Sequence, residues 1–176
     1  MEVVEPSQSP LTAFVAPIVG LPAWGAKQGY GSFLSFEFGP PELVVKEQLS
    51  ESRGRWRQAY VLGRWRVWIY CCEWRFSAHQ EQIAWSEDTR EDIERAAAVL
   101  NGQILRRVRI EPETGKSRFE FDLGGVLETW PVGDDPNEEQ WFIYAPEEVF
   151  GYRADGCYSK QPADTPRSEE RWLEII

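Results

Sequence analysis

Gly54–Phe76 reads GRWRQAYVLGRWRVWIYCCEWRF. The tetrapeptide GRWR occurs twice, nine positions apart. Charged and aromatic residues alternate along the stretch, which is the period of an extended strand. Leu62-Gly63, between the copies, reads as a two-residue turn. The expectation is a hairpin of Arg55–Val61 and Arg64–Phe76, with Tyr60 opposite Trp65 and Ala59 opposite Arg66. One side then carries Trp56, Gln58, Tyr60, Trp65, Val67 and Ile69, suited to a core. The other carries Arg55, Arg57, Arg64 and Arg66, followed by Trp68, Tyr70, Cys72, Trp74 and Phe76. The second strand is about twice the usual five or six residues, so a bulge or bend is expected near Cys71-Cys72.

Outward from this stretch the signals are mainly those of short strands. Upstream, Met1–Pro10 reads as a tail, Leu11–Ser32 as an irregular apolar segment, and Phe33–Phe38 as a strand. The Gly39-Pro40-Pro41 break separates it from a second strand, Glu42–Gln48, and Leu49–Gly54 reads as a polar loop. Downstream, Gln82–Trp85 is a further short strand. Thr89 with Glu91 and Asp92 marks a helix start. Ile93, Ala96, Ala97 and Leu100 fall on one face, and Asn101-Gly102 supplies the stop. Strands follow at Gln103–Glu111, Lys116–Leu123, Val126–Val132, Glu139–Ala145, Val149–Ala154 and Cys157–Lys160. A hairpin at Gly124-Gly125 would set Glu128 opposite Phe121. Thr165-Pro166 fits the start of a last helix, Arg167–Ile175, docking Trp172, Leu173 and Ile176. These signals give an α+β fold: one curved antiparallel sheet or partial barrel of about nine strands, with one central helix packed on it. The domain reading is a tail over residues 1–10 and a single domain over residues 11–176.

The chain of 176 residues has a net charge of -10 and contains nine tryptophans. Its length suffices for a substantial core. Its acidity repels nucleic-acid phosphates, which speaks against double-stranded DNA or RNA as a partner. The charge is uneven: Arg53–Arg75 holds six arginines and one acid, Glu73, against an acidic second half. Three cysteines, two of them adjacent, do not form a disulfide framework and fit a reducing cytoplasm. Glu2 and Glu5 stand where a secretion signal would carry a basic residue, and Leu11–Leu21 is too short to span a bilayer.

Catalytic constellations are sparse. His79 is the one histidine, in the polar segment SAHQEQ, and a Cys–His pair with Cys71 or Cys72 is the nucleophilic option. The paired Cys-x-x-Cys spacing of zinc sites, calcium-loop spacing and phosphate-cradling glycine loops are not found. No cofactor is expected. The candidate binding residues are Arg55, Arg57, Arg64, Arg66, Trp68 and Trp74. Two readings of them stand: an outer sheet face where guanidinium groups cover rings, or a cationic-aromatic surface that grips an anionic group through Arg forks.

The segments GSFLSFEFG (Gly31–Gly39), RWRVWIYCCEWRF (Arg64–Phe76) and RADGCYS (Arg153–Ser159) resemble a family of small standalone bacterial proteins without an assigned activity. The resemblance implies a bacterial cytosolic origin and carries no catalytic residues. In size, acidity and sheet-plus-helix plan the chain is also similar to immunity proteins, which act by binding a toxin. The functional expectation is a non-enzymatic protein that binds a basic partner, with an immunity-type inhibitor as the specific form of it. The alternative is a small-ligand binder or enzyme with an Arg/Trp-lined pocket for an anion. Monomer and homodimer both remain open.

Overall fold

From α1 (Pro10–Val15) and β1 (Trp24–Gln28) the chain enters a long hairpin, β2 (Leu34–Ser50) and β3 (Gly54–Ile69). Both copies of GRWR lie on β3, one behind the other, and not on neighbouring strands. The computed structural model describes residues 9–175. The tail expected over Met1–Pro10 therefore lies outside the described residues, except Ser9 and Pro10, which cap and start α1.

The hairpin pairs from Leu34↔Ile69 to Ser50↔Gly54, so its turn is Glu51–Arg53 and not Leu62-Gly63. Two local features explain the difference. Gly39-Pro40 sits opposite the single residue Arg64, a bulge that lets the strand run through a sequence that looks like a break. Gly63 is a point of close approach. A Cβ there would lie 2.8 Å from Glu37 Cβ and 2.9 Å from the Phe38 carbonyl oxygen. The glycine that reads as a turn is instead the residue small enough to pass the bulge.

Past Tyr70–Cys72 the chain leaves this sheet for a second one, so the bend expected near Cys71-Cys72 is where it changes sheets. The remaining elements are β4 (Glu73–Ala78), β5 (Glu81–Trp85), α2 (Arg90–Leu100), β6 (Leu105–Glu111), β7 (Lys116–Phe121), β8 (Gly125–Trp130), β9 (Glu139–Tyr144), β10 (Glu148–Arg153) and β11 (Tyr158–Pro162). They form two antiparallel sheets, ordered β1-β2-β3-β9-β10-β11 and β5-β4-β8-β7-β6. The class is α+β, with eleven strands in two sheets and two α-helices among the described residues. The single nine-stranded barrel with one central helix is not what forms.

An aromatic layer joins the sheets. Phe36 meets Phe119 at 6.3 Å and Phe121 at 6.2 Å between ring centres, and Phe119 meets Trp141 at 5.4 Å. Each buried ring removes a large apolar area from water, and edge-to-face contact adds about 0.5–1.5 kcal/mol. The buried indoles find acceptors: Trp74 Nε1 donates to the Ser32 carbonyl (2.7 Å) and Trp141 Nε1 to Ser117 Oγ (2.9 Å). α1 contributes Leu11, Phe14 and Val15 to this core, with Phe14 against Trp65 at 5.5 Å. α2 buries Ile93, Ala96, Ala97 and Leu100, the stripe expected from the sequence, and Thr89 caps it.

Two further expectations change. β7 and β8 pair Arg118↔Glu128 and Phe119↔Leu127, so Glu128 faces an arginine and not Phe121. The connection runs from Phe121 to Gly125, longer than Gly124-Gly125 alone. It is held where Asp122 Oδ1 accepts the Ile104 N–H at 2.8 Å. That slip exchanges the faces of β8, sending Leu127 and Thr129 inward and Trp130 outward. The last helix is one 3-10 turn, Arg167–Glu169, without a side-chain cap. Beyond it Leu173 bridges back to Tyr158 as an extended partner and stays 53% exposed. Ile176 lies outside the described residues.

Candidate functional site

The six candidate residues occupy five different places. Arg55 and Arg57 lie near the tip of the β2–β3 hairpin, and both bind the one carboxylate of Glu47 at 3.0 Å. Arg64 is exposed at the bulge. Arg66 pairs with Glu37 at 3.5 Å. Trp68 lies on the outer face of the six-stranded sheet, while Trp74 is fully buried between the sheets. No single pocket brings Arg64, Arg66, Trp68 and Trp74 together. The reason is the turn: with both GRWR copies on one strand, the arginines spread along about 30 Å of hairpin.

The distal hairpin forms an arm. β1 pairs with β2 only over Leu34–Glu37, and β9 pairs with β3 only over Arg66–Ile69. From Pro41 to Leu62 the two strands have each other and, among the described residues, no third. On one face stand the cross-strand pairs Leu43↔Val61 and Val45↔Ala59, with Leu49 nearer the tip. By alternation along β3 this is the side on which Trp65, Val67 and Ile69 meet the core, so the apolar stripe continues outward past the last covering element. Leu43 is 72% exposed and Leu49 85%. On the opposite face Val44 pairs with Tyr60, and Lys46 Nζ lies 5.8 Å from the Tyr60 ring centre. The arm holds Lys46, Arg53, Arg55 and Arg57 against Glu42, Glu47 and Glu51, a net of +1, so the rest of the chain carries -11.

At the base of the arm Glu37 is buried. It accepts the Gly63 N–H at 3.1 Å and faces Arg66. Burial pushes its carboxyl above the ordinary 4.5, opposed by the Gly63 hydrogen bond and by Arg66. A raised carboxyl binds protons more tightly folded than unfolded, so its contribution is fully present below pH 4.5 and is lost as pH rises through the raised value. Glu37→Gln removes this dependence. The stability advantage of the parent over Glu37→Gln is therefore greatest in acid and shrinks toward neutrality, which urea unfolding at a series of pH values measures.

A cleft of about 190 Å³ lies on the outer face of the six-stranded sheet. Trp68, Tyr70, Phe142 and Tyr144 line it from β3, β9 and the segment after β3, and Thr165, Arg167 and Glu170 line it from the C-terminal segment. Trp68 stacks with Phe142 at 6.0 Å and lies 4.5 Å from Tyr70. Arg167 donates to Glu139 at 3.2 Å. Burial raises the Glu170 carboxyl, Glu139 raises it further, and Arg167 opposes both. Reading the sequence missed this cleft, because β3 meets β9 across a long stretch of chain. The alternation in EQWFIYA was legible; its partner was not.

The outer face of the five-stranded sheet is a wider concavity of about 800 Å³, lined by Arg75, Arg109, Lys116 and Arg118 with Glu111, Glu120 and Glu128. Its charges largely answer one another: Arg75–Glu128 at 2.9 Å, Arg118–Glu120 at 2.9 Å, and Arg107 also on Glu120. His79 forms the β4–β5 turn with Gln80, both at positive φ. Cys72 and His79 flank opposite ends of β4, about 20 Å apart, so they form no dyad. Burial raises the Cys71 thiol to about 11 and pushes Cys72 higher still, which keeps both protonated at neutral pH and weakly nucleophilic. Among the described residues no helix is long and apolar enough to cross a membrane. No cluster of His, Cys, Asp or Glu there could hold a metal ion. No family model, curated protein or solved structure matches this chain.

Proposed function

We propose that this protein works by binding protein, without catalysis, and that the arm Pro41–Leu62 is its contact. The observation that carries the reading is the arm itself. A two-stranded ribbon is marginal in water on its own, and this one exposes Leu43, Val45, Leu49 and Val61 together with two strand edges that no described strand covers. Free edges and contiguous apolar side chains are the features a partner strand or surface covers.

Charge narrows the partner. The arm is weakly basic at +1 and the remainder is strongly acidic at -11. A second copy of this chain is the occupant the arm fits best: about a two-fold axis each arm's apolar face can cover the other's, and the +1 arm is the part of a -10 chain where two copies meet least repulsion. The reading is therefore a homodimer formed by reciprocal arm contacts. Sedimentation of the parent and of a Leu43→Ser/Val45→Ser/Leu49→Ser variant tests it. The parent runs as a dimer at micromolar concentration, and the variant as a folded monomer with association weakened about 100-fold or more, several desolvated apolar contacts being lost. A parent that is monomeric throughout overturns self-association. If such a parent also binds no protein in an arm-dependent way, the wider reading falls too.

A further inference from the structure

We infer that the cleft between the outer face of the six-stranded sheet and the C-terminal segment binds a small organic cation carrying a methylated ammonium head. This goes beyond the proposed arm contact and uses different residues.

Two features of the cleft converge. Its sheet side is aromatic: Trp68, Tyr70, Phe142 and Tyr144 line it, with Phe142 and Tyr144 at 6.1 Å and Trp68 stacked on Phe142. Ring faces attract a cation through their quadrupole, and a methylated ammonium also gains by burying its methyl groups against them. Its charged residues are acidic in balance, with Glu139 and Glu170 against Arg167 alone. Burial first, and then the neighbouring Glu139, raises the Glu170 carboxyl, with Arg167 opposing, so the two carboxylates stand close enough to share a field that a cation relieves. An anion would meet two carboxylates there. A neutral ligand would gain from the rings and leave the charge unanswered. A cation gains from both.

The chain already places cations in this neighbourhood. Arg167 reaches across to Glu139, and Arg153 stands 4.7 Å from the centre of the Trp172 ring. Arg167 is 75% exposed, so its guanidinium can leave the cleft for solvent at little cost. Arg167 thus competes with the ligand for Glu139, and its removal should tighten binding. That sign separates a cation site from an anion site, where the same substitution would loosen it. The cavity, about 190 Å³, has room for a trimethylammonium group and a short chain.

The test uses choline and its neutral carbon isostere, 3,3-dimethylbutan-1-ol. Titration is followed through the Trp68 indole N–H resonance, assigned with Trp68→Phe. Choline shifts the resonance saturably at millimolar concentration and the isostere does not. Glu170→Gln, on an exposed segment where folding is not at stake, weakens choline about two- to fivefold, and Arg167→Ala strengthens it by a similar factor. Absence of a saturable shift, an isostere equal to choline, or an Arg167→Ala variant that binds choline less tightly would each overturn the inference. A trimethyl-lysine peptide titrated alongside separates a free cation from a modified side chain as the source of the head group.

Discussion

Trp141→Ala lowers the unfolding free energy by about 3–5 kcal/mol in urea denaturation. Trp141 is completely buried at the middle of β9. Its ring lies 5.1 Å from Tyr152, 5.4 Å from Phe119 and 6.1 Å from Phe150, so it touches both sheets. Its Nε1 donates to Ser117 Oγ, and the Ser117 and Thr129 hydroxyls hydrogen-bond each other. Alanine removes the ring and leaves a cavity that surrounding aromatics cannot collapse into. Trp141→Phe keeps most of the volume and loses the N–H donor. It costs about 1–2 kcal/mol, since Ser117 and Thr129 still satisfy each other. An alanine variant within 1 kcal/mol of the parent would mean that the sheets are not packed through this ring.

Gly156→Ala is the second large effect, with a loss of about 2–5 kcal/mol. Gly156 turns β10 into β11 at φ +79, a conformation that costs an L-residue about 1–2 kcal/mol. A Cβ there would also overlap the backbone of Pro112, at the β6–β7 turn of the other sheet. The two turns interlock. Gly115, at the end of the β6–β7 turn, meets the Ala154 carbonyl in the same way. Forcing them apart adds about 1–3 kcal/mol. Gly133→Ala is the control, since it shares the left-handed φ (+66) with no atom within 4 Å of the added Cβ. Thermal melts should therefore place Gly156→Ala roughly 5–15 °C below the parent, with Gly133→Ala losing only the strain component. Equal losses at the two sites would remove the packing argument.

What the sequence made legible follows the range of the interactions involved. α2 was readable to the residue because its cap, stripe and stop are local. The short strands from Glu139 to Lys160, which fold back on their neighbours, were legible to within two residues at each end. The hairpin was misplaced because Leu62-Gly63 carries a turn's composition for a packing reason, the passage of Glu37 and Phe38 at a bulge. Gly39-Pro40-Pro41 hid the continuity of β2 for the complementary reason. The division into two sheets rests on β3–β9 and β4–β8, pairings between distant segments that no local period announces. The candidate residues suffered accordingly. Alternation placed Arg64, Arg66 and Trp68 on one side of β3, and they are there; Arg55 and Arg57, expected on that side across a turn, lie on the other side because they share the strand. Trp74 belongs to the other sheet, because the chain crosses over at Cys71-Cys72. The arm's apolar face was written in ELVVKEQLS, but it is a surface only because no described element packs over it.

Hydrogen exchange along Pro41–Leu62, followed by mass spectrometry at increasing protein concentration, addresses the arm contact most directly. A ribbon with two free edges leaves alternate amides open to water, so in dilute solution these exchange quickly while the β9 and β10 amides stay protected. If the arm is the contact, its protection rises with protein concentration, in step with dimer formation, and the Leu43→Ser/Val45→Ser/Leu49→Ser variant shows no such rise. Arm exchange that is equally fast at every concentration, in a sample that sediments as a dimer, would place the interface elsewhere and contradict the account.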